Sequence, residues 1–254
     1  MVGAGFDIKN IHKELSDSVL SEIDIINLEN PLYPNYLNND YSTDIRHFLS
    51  LNYGKAIITD GAYIDLNPGT GDAEILNIVR KRIRQSIDFA VSVQSVEVIF
   101  LSTFLPMIQL DFYNNAHIDN SIAFWKEIAV ENKEIRISLC NTFEYTPDIL
   151  LRIAGGVACD NFGLAFDIGH AFAFGQIPLI IFFEKMKPFC KTVYLHSNNQ
   201  HIDEHLNLFE GNLIKSDQFQ DIIPLIRNMN ILLKPFDKRS LKKNLEVLRK
   251  ALVG

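Results

Sequence analysis

A single (β/α)8 barrel is the fold this sequence predicts, and three observations predict it. Eight short apolar runs recur along the chain, helix-like segments fill the intervals, and the whole spans 254 residues. Eight strand–helix units in about 250 residues is the arithmetic of such a barrel. The runs are "VGAGFDI" (2–8), "EIDIINLEN" (22–30), "KAIITDGAY" (55–63) and "SVEVIFLSTF" (95–104) in the first half. "EIRISLCNTF" (134–143), "NFGLAFDIGH" (161–170), "KTVYLHSNN" (191–199) and "MNILLKPFD" (229–237) follow in the second. Each is nearly continuously hydrophobic, as strands buried on both faces of a parallel sheet must be. An open doubly wound sheet is the structural competitor. It usually carries fewer strands and a glycine-rich first turn, and "GAGFD" lacks the full GxGxxG, so no dinucleotide site is expected. No linker or low-complexity segment interrupts the chain, so residues 1–254 are expected to form one domain.

Helices are read from their stripes and caps. Residues 72–93 place Ile75, Ile78, Val79, Ile83, Ile87, Phe89 and Ala90 roughly along one face. In "TPDILLRIAGG" Thr146 is a candidate cap, Pro147 begins the first turn and Gly155 ends the helix. The last helix is expected over 240–252. The most apolar stretch, "AFAFGQIPLIIFF" (171–183), is broken by Gly175, Gln176 and Pro178. It falls short of the roughly 20 residues that cross a bilayer, and reads as a core helix in preference to an interface.

Composition narrows the function classes. With 31 acidic and 24 basic residues the formal charge is −7, which lacks the basic footprint of phosphate neutralisation. The basic runs at 81–85 and 237–250 have helical spacing and read as solvated faces. Three well-separated cysteines, Cys140, Cys159 and Cys190, suggest a reducing compartment and no disulfide framework. Met1 leads directly into the first strand without a signal-like segment, so a cytoplasmic protein is expected. The expected partner is a small-molecule substrate, with neither nucleic acid nor membrane involved; a homo-oligomer is compatible with the fold.

A barrel of this kind does its chemistry at the C-terminal ends of the strands. Those ends carry Asp7, Glu29 and Asn30, Asp60, Ser102 and Thr103, then Cys140, Asn141 and Glu144. Asp167 and His170 follow, then His196 with the loop 198–205, and last Lys234 and Asp237. Some of this is ordinary loop polarity. Two clusters stand out. "FDIGH" puts Asp167 and His170 three residues apart just past a buried strand, although Asp167 is equally suited to capping the next turn. "LHSNNQHIDEH" (195–205) holds three of the seven histidines. There Asp203 and His205 lie two apart and would point the same way in extended backbone. A carboxylate with two imidazoles is a common set for one divalent metal, Zn or Mn by ligand type.

These segments resemble the xylose isomerase-like barrel superfamily, which includes endonuclease IV and many sugar isomerases and epimerases. "GLAFDIGHAFAFG" is similar to its strand-six motif D-[TIC]-[GC]-H-A, and "LHSNNQHIDEHLNLFEGNL" to its strand-seven segment H-x-[HN]-D…D-x-H-x-x-x-G-E-G-N. "ISLCNTFEYTPDILLRI" resembles the strand-five pattern with E-N and P-x-x-L, and "TDGAYIDLNPGTGDAEI" the segment that begins H-A-P-[FY]. The resemblance runs over residues 57–248. It implies metal ligands at Asp167, His170, His196, Asp203 and His205, and of these His170, Asp203 and His205 form one complete set. It also implies losses. Asp60 stands where the family has His, Leu101 where it has a second His, Cys140 for the strand-five Glu and Lys234 for the strand-eight Glu.

The reading that follows is an isomerase- or epimerase-like enzyme for a small polyhydroxylated or carbonyl substrate. One divalent ion would sit on His170, Asp203 and His205. Cys140 and Lys234 are the candidates for proton transfer or carbonyl polarisation, tuned toward neutral pH by burial and neighbours. Asp60, Asn141, Asp167 and His196 would contact substrate. A barrel that has lost catalysis and metal, and serves as a binding or assembly component, is the alternative from another class. An endonuclease IV-like phosphodiesterase ranks last, because four ligand positions are substituted.

Overall fold

The computed structural model describes residues 1–9, 17–29, 34–38 and 42–253, and Asn30 lies outside them. Eight parallel strands close into a barrel in the order β1 to β8, each hydrogen-bonded to its neighbour in sequence. They are β1 Val2–Asp7, β2 Ile25–Glu29, β3 Ala56–Asp60 and β4 Glu97–Leu101, then β5 Arg136–Cys140, β6 Phe162–Asp167, β7 Cys190–Leu195 and β8 Asn230–Leu233. The barrel closes where Val2, Gly3 and Ala4 of β1 pair with Ile231, Leu232 and Leu233 of β8. The helices are α1 Asp17–Leu20, α2 Ser42–Leu51, α3 Ala73–Ser92, α4 Asp111–Glu131 and α5 Asp148–Val157, followed by α6 Ile168–Phe174, α7 Leu179–Met186, α8 Asp217–Ile226 and α9 Leu241–Val253. Among the described residues no helix is long and apolar enough to cross a membrane.

Helix boundaries follow the chemistry of their ends. Asp72 caps α3, its Oδ1 accepting from the backbone N–H of Glu74 at 2.8 Å and of Ile75 at 3.0 Å; such a cap stabilises by about 1 kcal/mol. The buried stripe of α3 is Val79, Ile83, Ser86, Ile87 and Ala90. Ile75 and Ile78, expected on that stripe, are 47% and 60% exposed and face away from the barrel. Helix α5 runs through Gly155 instead of ending there, and stops at Ala158, which takes the left-handed φ of 48°. Gly156 is needed for packing: a Cβ there would lie 2.4 Å from Cδ1 of Ile122 on α4. Thr146 does not cap α5; its hydroxyl donates to Asp148 Oδ2 at 2.9 Å. The apolar stretch 171–183 supplies α6 and α7, whose Phe172, Phe182 and Phe183 are buried, as a core reading requires.

The core has two parts. The larger fills the space between strands and helices, with Trp125, Phe124, Phe166, Phe182 and Phe219 among its largest members. The smaller lies inside the barrel and stacks Ile25, Ile58, Ile99, Cys140, Ala165, Tyr194 and Leu232. At the N-terminal ends of the strands a polar plug closes the interior. Glu97 accepts from the hydroxyls of Ser138 and Thr192 and pairs with Arg136 Nε at 3.3 Å. With one end plugged, the C-terminal mouth is left to form the site.

Candidate functional site

A cavity of about 570 Å³ opens at the C-terminal mouth. One wall is a histidine–carboxylate group, the other a lysine–carboxylate group, and aromatic rings form the rim.

The first wall is built around Asp203. His170 and His205 bring their Nε2 atoms to 3.1 and 3.3 Å from the same oxygen, Asp203 Oδ2. Both rings are fixed from behind: His170 Nδ1 lies 2.9 Å from the Asn141 carbonyl and His205 Nδ1 2.6 Å from the Lys234 carbonyl. A carbonyl only accepts, so each Nδ1 carries the proton and each Nε2 is directed to the carboxylate. His196 joins them, with Nε2 3.0 Å from Asp167 Oδ1 and 3.7 Å from Asp203 Oδ1. Ligand atoms of His170, His196, Asp203 and His205 all lie within 4.8 Å of one another. Among the described residues Asp203 Oδ1 and His196 Nδ1 are buried without a hydrogen-bond partner.

Local sequence explains how these groups meet. Asp167 ends β6 and caps α6, accepting from the His170 N–H at 2.9 Å, so the capping role expected of it is realised. Gly169 is required between them because a Cβ there would lie 2.2 Å from His196 Cε1. Asp203 and His205 do not converge through extended backbone as their spacing suggests. Gln200, His201 and His205 all take positive φ, at 67°, 67° and 47°, and this curls the loop back over the site. His205 is clamped in a stack, 3.6 Å from the His196 ring centroid and 4.5 Å from that of Phe236.

Electrostatics follow from burial and pairing. Burial opposes the charge on His170, but Asp167 and Asp203 overcome it and raise its pKa to about 9. Burial pushes His196 the other way, below its ordinary value, despite Asp167. Burial also opposes ionisation of Asp167, yet His170 and His196 hold it at about 2. Asp203 is held well below the usual carboxylate range, because His170 and His205 outweigh its burial.

The second wall centres on Lys234. Its Nζ lies 2.6 Å from Asp60 Oδ2, 2.8 Å from Glu29 Oε1 and 2.9 Å from Asn27 Oδ1. Asp60 Oδ1 accepts from Asn27 Nδ2 at 2.8 Å and from the Tyr194 hydroxyl. Lys238 adds a second ammonium 3.0 Å from Glu29 Oε1. Despite burial, the two lysines hold the Glu29 carboxyl down at about 2.

Several sequence expectations change here. Cys140, expected to act in catalysis, packs instead in the apolar barrel interior, and burial there raises its thiol well above its ordinary pKa. Lys234 lines the cavity, yet Asp60 and Glu29 overcome its burial and raise its pKa, so it stays an ammonium. Neither group is tuned toward neutrality. Asn141, expected to bind substrate, spends its side chain on the Asp167 backbone, donating to the carbonyl at 2.9 Å and accepting from the N–H at 2.7 Å. His196, expected to contact substrate, is fully buried and belongs with the candidate metal ligands. Asp60 and Asp167 do line the cavity. Sequence reasoning missed Asn27, Tyr63, Lys238 and Phe236. A lone Asn inside the buried strand "IINLE" was the available signal for the first.

Comparison with known proteins agrees with this architecture. An uncharacterized protein of Methanocaldococcus jannaschii is 28% identical over 226 residues, covering 81% of this chain and 76% of its own length. The crystal structure of a D-tagatose 3-epimerase-like protein superposes with a TM-score of 0.78 at 24% identity, covering 99% of this chain and 97% of that one. Endonuclease IV from Thermus thermophilus gives a TM-score of 0.69 at 12% identity, covering 99% and 98% of the two chains. The family match spans residues 29–251, and the chain belongs to the xylose isomerase-like TIM barrel family.

Proposed function

We propose that the chain is an isomerase or epimerase of a small, uncharged polyhydroxylated or carbonyl compound, working with one divalent ion, Zn or Mn, on His170, His196, Asp203 and His205. One observation carries the reading. Two imidazoles with fixed Nδ1–H groups face one oxygen of Asp203, whose other oxygen is buried with no hydrogen-bond partner among the described residues. Nitrogen and carboxylate donors held from behind in this way suit such an ion. When bound, the ion supplies Lewis-acid polarisation of a ligand oxygen.

The chain's own residues supply the rest. Asp167 holds His196 and the start of α6 in place. Across the cavity, Glu29, Asp60 and Lys238 offer acceptors and a donor to hydroxyl groups, and Tyr63, Phe143 and Phe236 offer apolar faces to C–H groups. Five acids, Asp7, Glu29, Asp60, Asp167 and Asp203, line the cavity against two lysines, which disfavours an anionic substrate.

The test joins metal content with exchange. Protein purified without chelator is assayed for bound metal and incubated in D2O with a panel of ketoses and hydroxyketones. Deuterium entering beside the carbonyl, lost in His205→Ala together with the ion, is the expected result. No ion and no exchange ends the reading. A barrel that binds without turnover is favoured by a separate observation: Cys140 lies in the barrel interior and Lys234 already has three acceptors. Saturable ligand binding without exchange selects that reading.

A further inference from the structure

We propose that the Lys234 ammonium is a tethered cation standing in for a metal ion on the inner wall of the cavity. The barrel then carries one metal site, on the outer histidine–carboxylate group, and a second, latent one that its own side chain fills. The count of one in the wild type rests on the function proposed above; the latent site does not.

The cage around Nζ is the first reason. Three oxygens from three residues on two adjacent strands, Asn27 and Glu29 on β2 and Asp60 on β3, surround it at 2.6 to 2.9 Å. The ammonium donates to Asn27 Oδ1 and Asp60 Oδ2 and forms an ion pair with Glu29 Oε1. Below, the Tyr194 ring centroid is 4.8 Å from Nζ, so an aromatic face completes the enclosure. Two carboxylates and an amide oxygen are hard donors of the kind that hold Mg or Mn.

Charge is the second reason. Asp60 and Glu29 both line the cavity, and Lys234, itself 9% exposed, neutralises them at close range. Removing that charge while keeping the volume leaves two converging carboxylates, with Lys238 paired to Glu29 and the Asn27 amide and Tyr194 hydroxyl donating to Asp60. A carboxylate pair of this kind relieves its repulsion by taking up a proton or a cation, and its hard oxygens suit the cation. Conversely, while the ammonium is present its charge and its stem exclude a divalent ion from the same oxygens.

Lys234 also joins the two walls. Its carbonyl fixes His205 Nδ1 at 2.6 Å while its side chain turns to Asp60. One residue therefore orients a ligand of the outer site and occupies the inner one.

The experiment counts Mn2+ by equilibrium dialysis and electron paramagnetic resonance on the full chain. Wild type and Lys234→Arg are expected to bind one ion, and Lys234→Met two. Lys234→Met with Asp60→Asn should return to one. A folded Lys234→Met that gains no ion over wild type overturns the proposal, as does a wild type that binds two. A wild type with no ion and a Lys234→Met with one supports the latent site and rejects the outer one. Should Lys234→Met fail to fold, it is refolded with Mn2+ or ethylammonium. Recovery of the native circular dichroism supports a cation cage, and no recovery with either overturns it.

Discussion

His205 lies flat on His196, ring centroids 3.6 Å apart and planes within 9°. In the metal-free group Asp167 and Asp203 outweigh the burial of His170 and raise its pKa to about 9, so it carries a proton on each ring nitrogen. A metal ion needs the Nε2 lone pair that one of these protons occupies, so binding expels it. Calorimetry of Zn2+ binding near neutral pH, repeated in buffers of different ionisation heat, should report release of about one proton. Heats independent of buffer would contradict this. The same shift fixes a sign for the metal-free protein. The stability contributed by a raised pKa is full below the unfolded value of 6.5 and is lost as pH rises through about 9.

Gly169 sets how closely helix α6 approaches His196. A Cβ there would lie 2.2 Å from Cε1 and 2.4 Å from Nε2 of that ring. His205 blocks the ring on its other face, so it has no room to yield. Gly169→Ala should therefore destabilise by about 1–3 kcal/mol through overpacking, even though alanine is the better helix former. It should also weaken metal binding. Urea unfolding in chelator and ion content on the same preparation check both, and wild-type values in each would refute the packing constraint.

The fold was legible because barrel strands buried on both faces leave near-continuous apolar runs; seven of the eight fall inside the segments read from sequence, and β7 begins one residue earlier than its segment, at Cys190. The stripe over 72–93 located α3, and Asp72, the first residue of that segment, caps it. Ile75 and Ile78 went astray because periodicity finds a stripe without saying how much of it the barrel covers. In the site, His170, Asp203 and His205 were visible as titratable groups beside apolar strands. Cys140 and Asn141 were not separable from true cavity residues, since one step of the strand pleat decides which way a side chain points. The cage around Lys234 was illegible for a different reason. Its partners Asp60 and Asn27 stand 174 and 207 residues away in sequence.

Glu97 offers a control remote from the mouth. It sits at the first position of β4, 2% exposed, with Arg136 Nε 3.3 Å away and two hydroxyls donating to it. Replacing it by alanine leaves Arg136 without its carboxylate in a largely buried place, which typically costs about 3–5 kcal/mol. Because the plug closes the opposite end of the barrel, the ion count should not change. Urea unfolding with parallel elemental analysis tests the pair of statements. A loss below about 1 kcal/mol would show that the plug is only a spacer.

Glu29 gives the acid side of the pH profile. Its folded pKa of about 2 lies below the ordinary 4.5, because Lys234 and Lys238 outweigh the cost of burial. The group is depressed, so its contribution is present above about 4.5 and is lost as pH falls toward 2. The shift corresponds to a contribution on the order of 3 kcal/mol when fully developed. Glu29→Gln removes that titration while keeping the side-chain volume. Its urea midpoint should start lower than wild type at neutral pH and fall less between pH 5 and pH 3, on the order of a pKa unit either side of the ordinary carboxylate value. Parallel acid profiles for the two proteins would mean that the lysines do not depress Glu29, and that Asp60 alone balances Lys234.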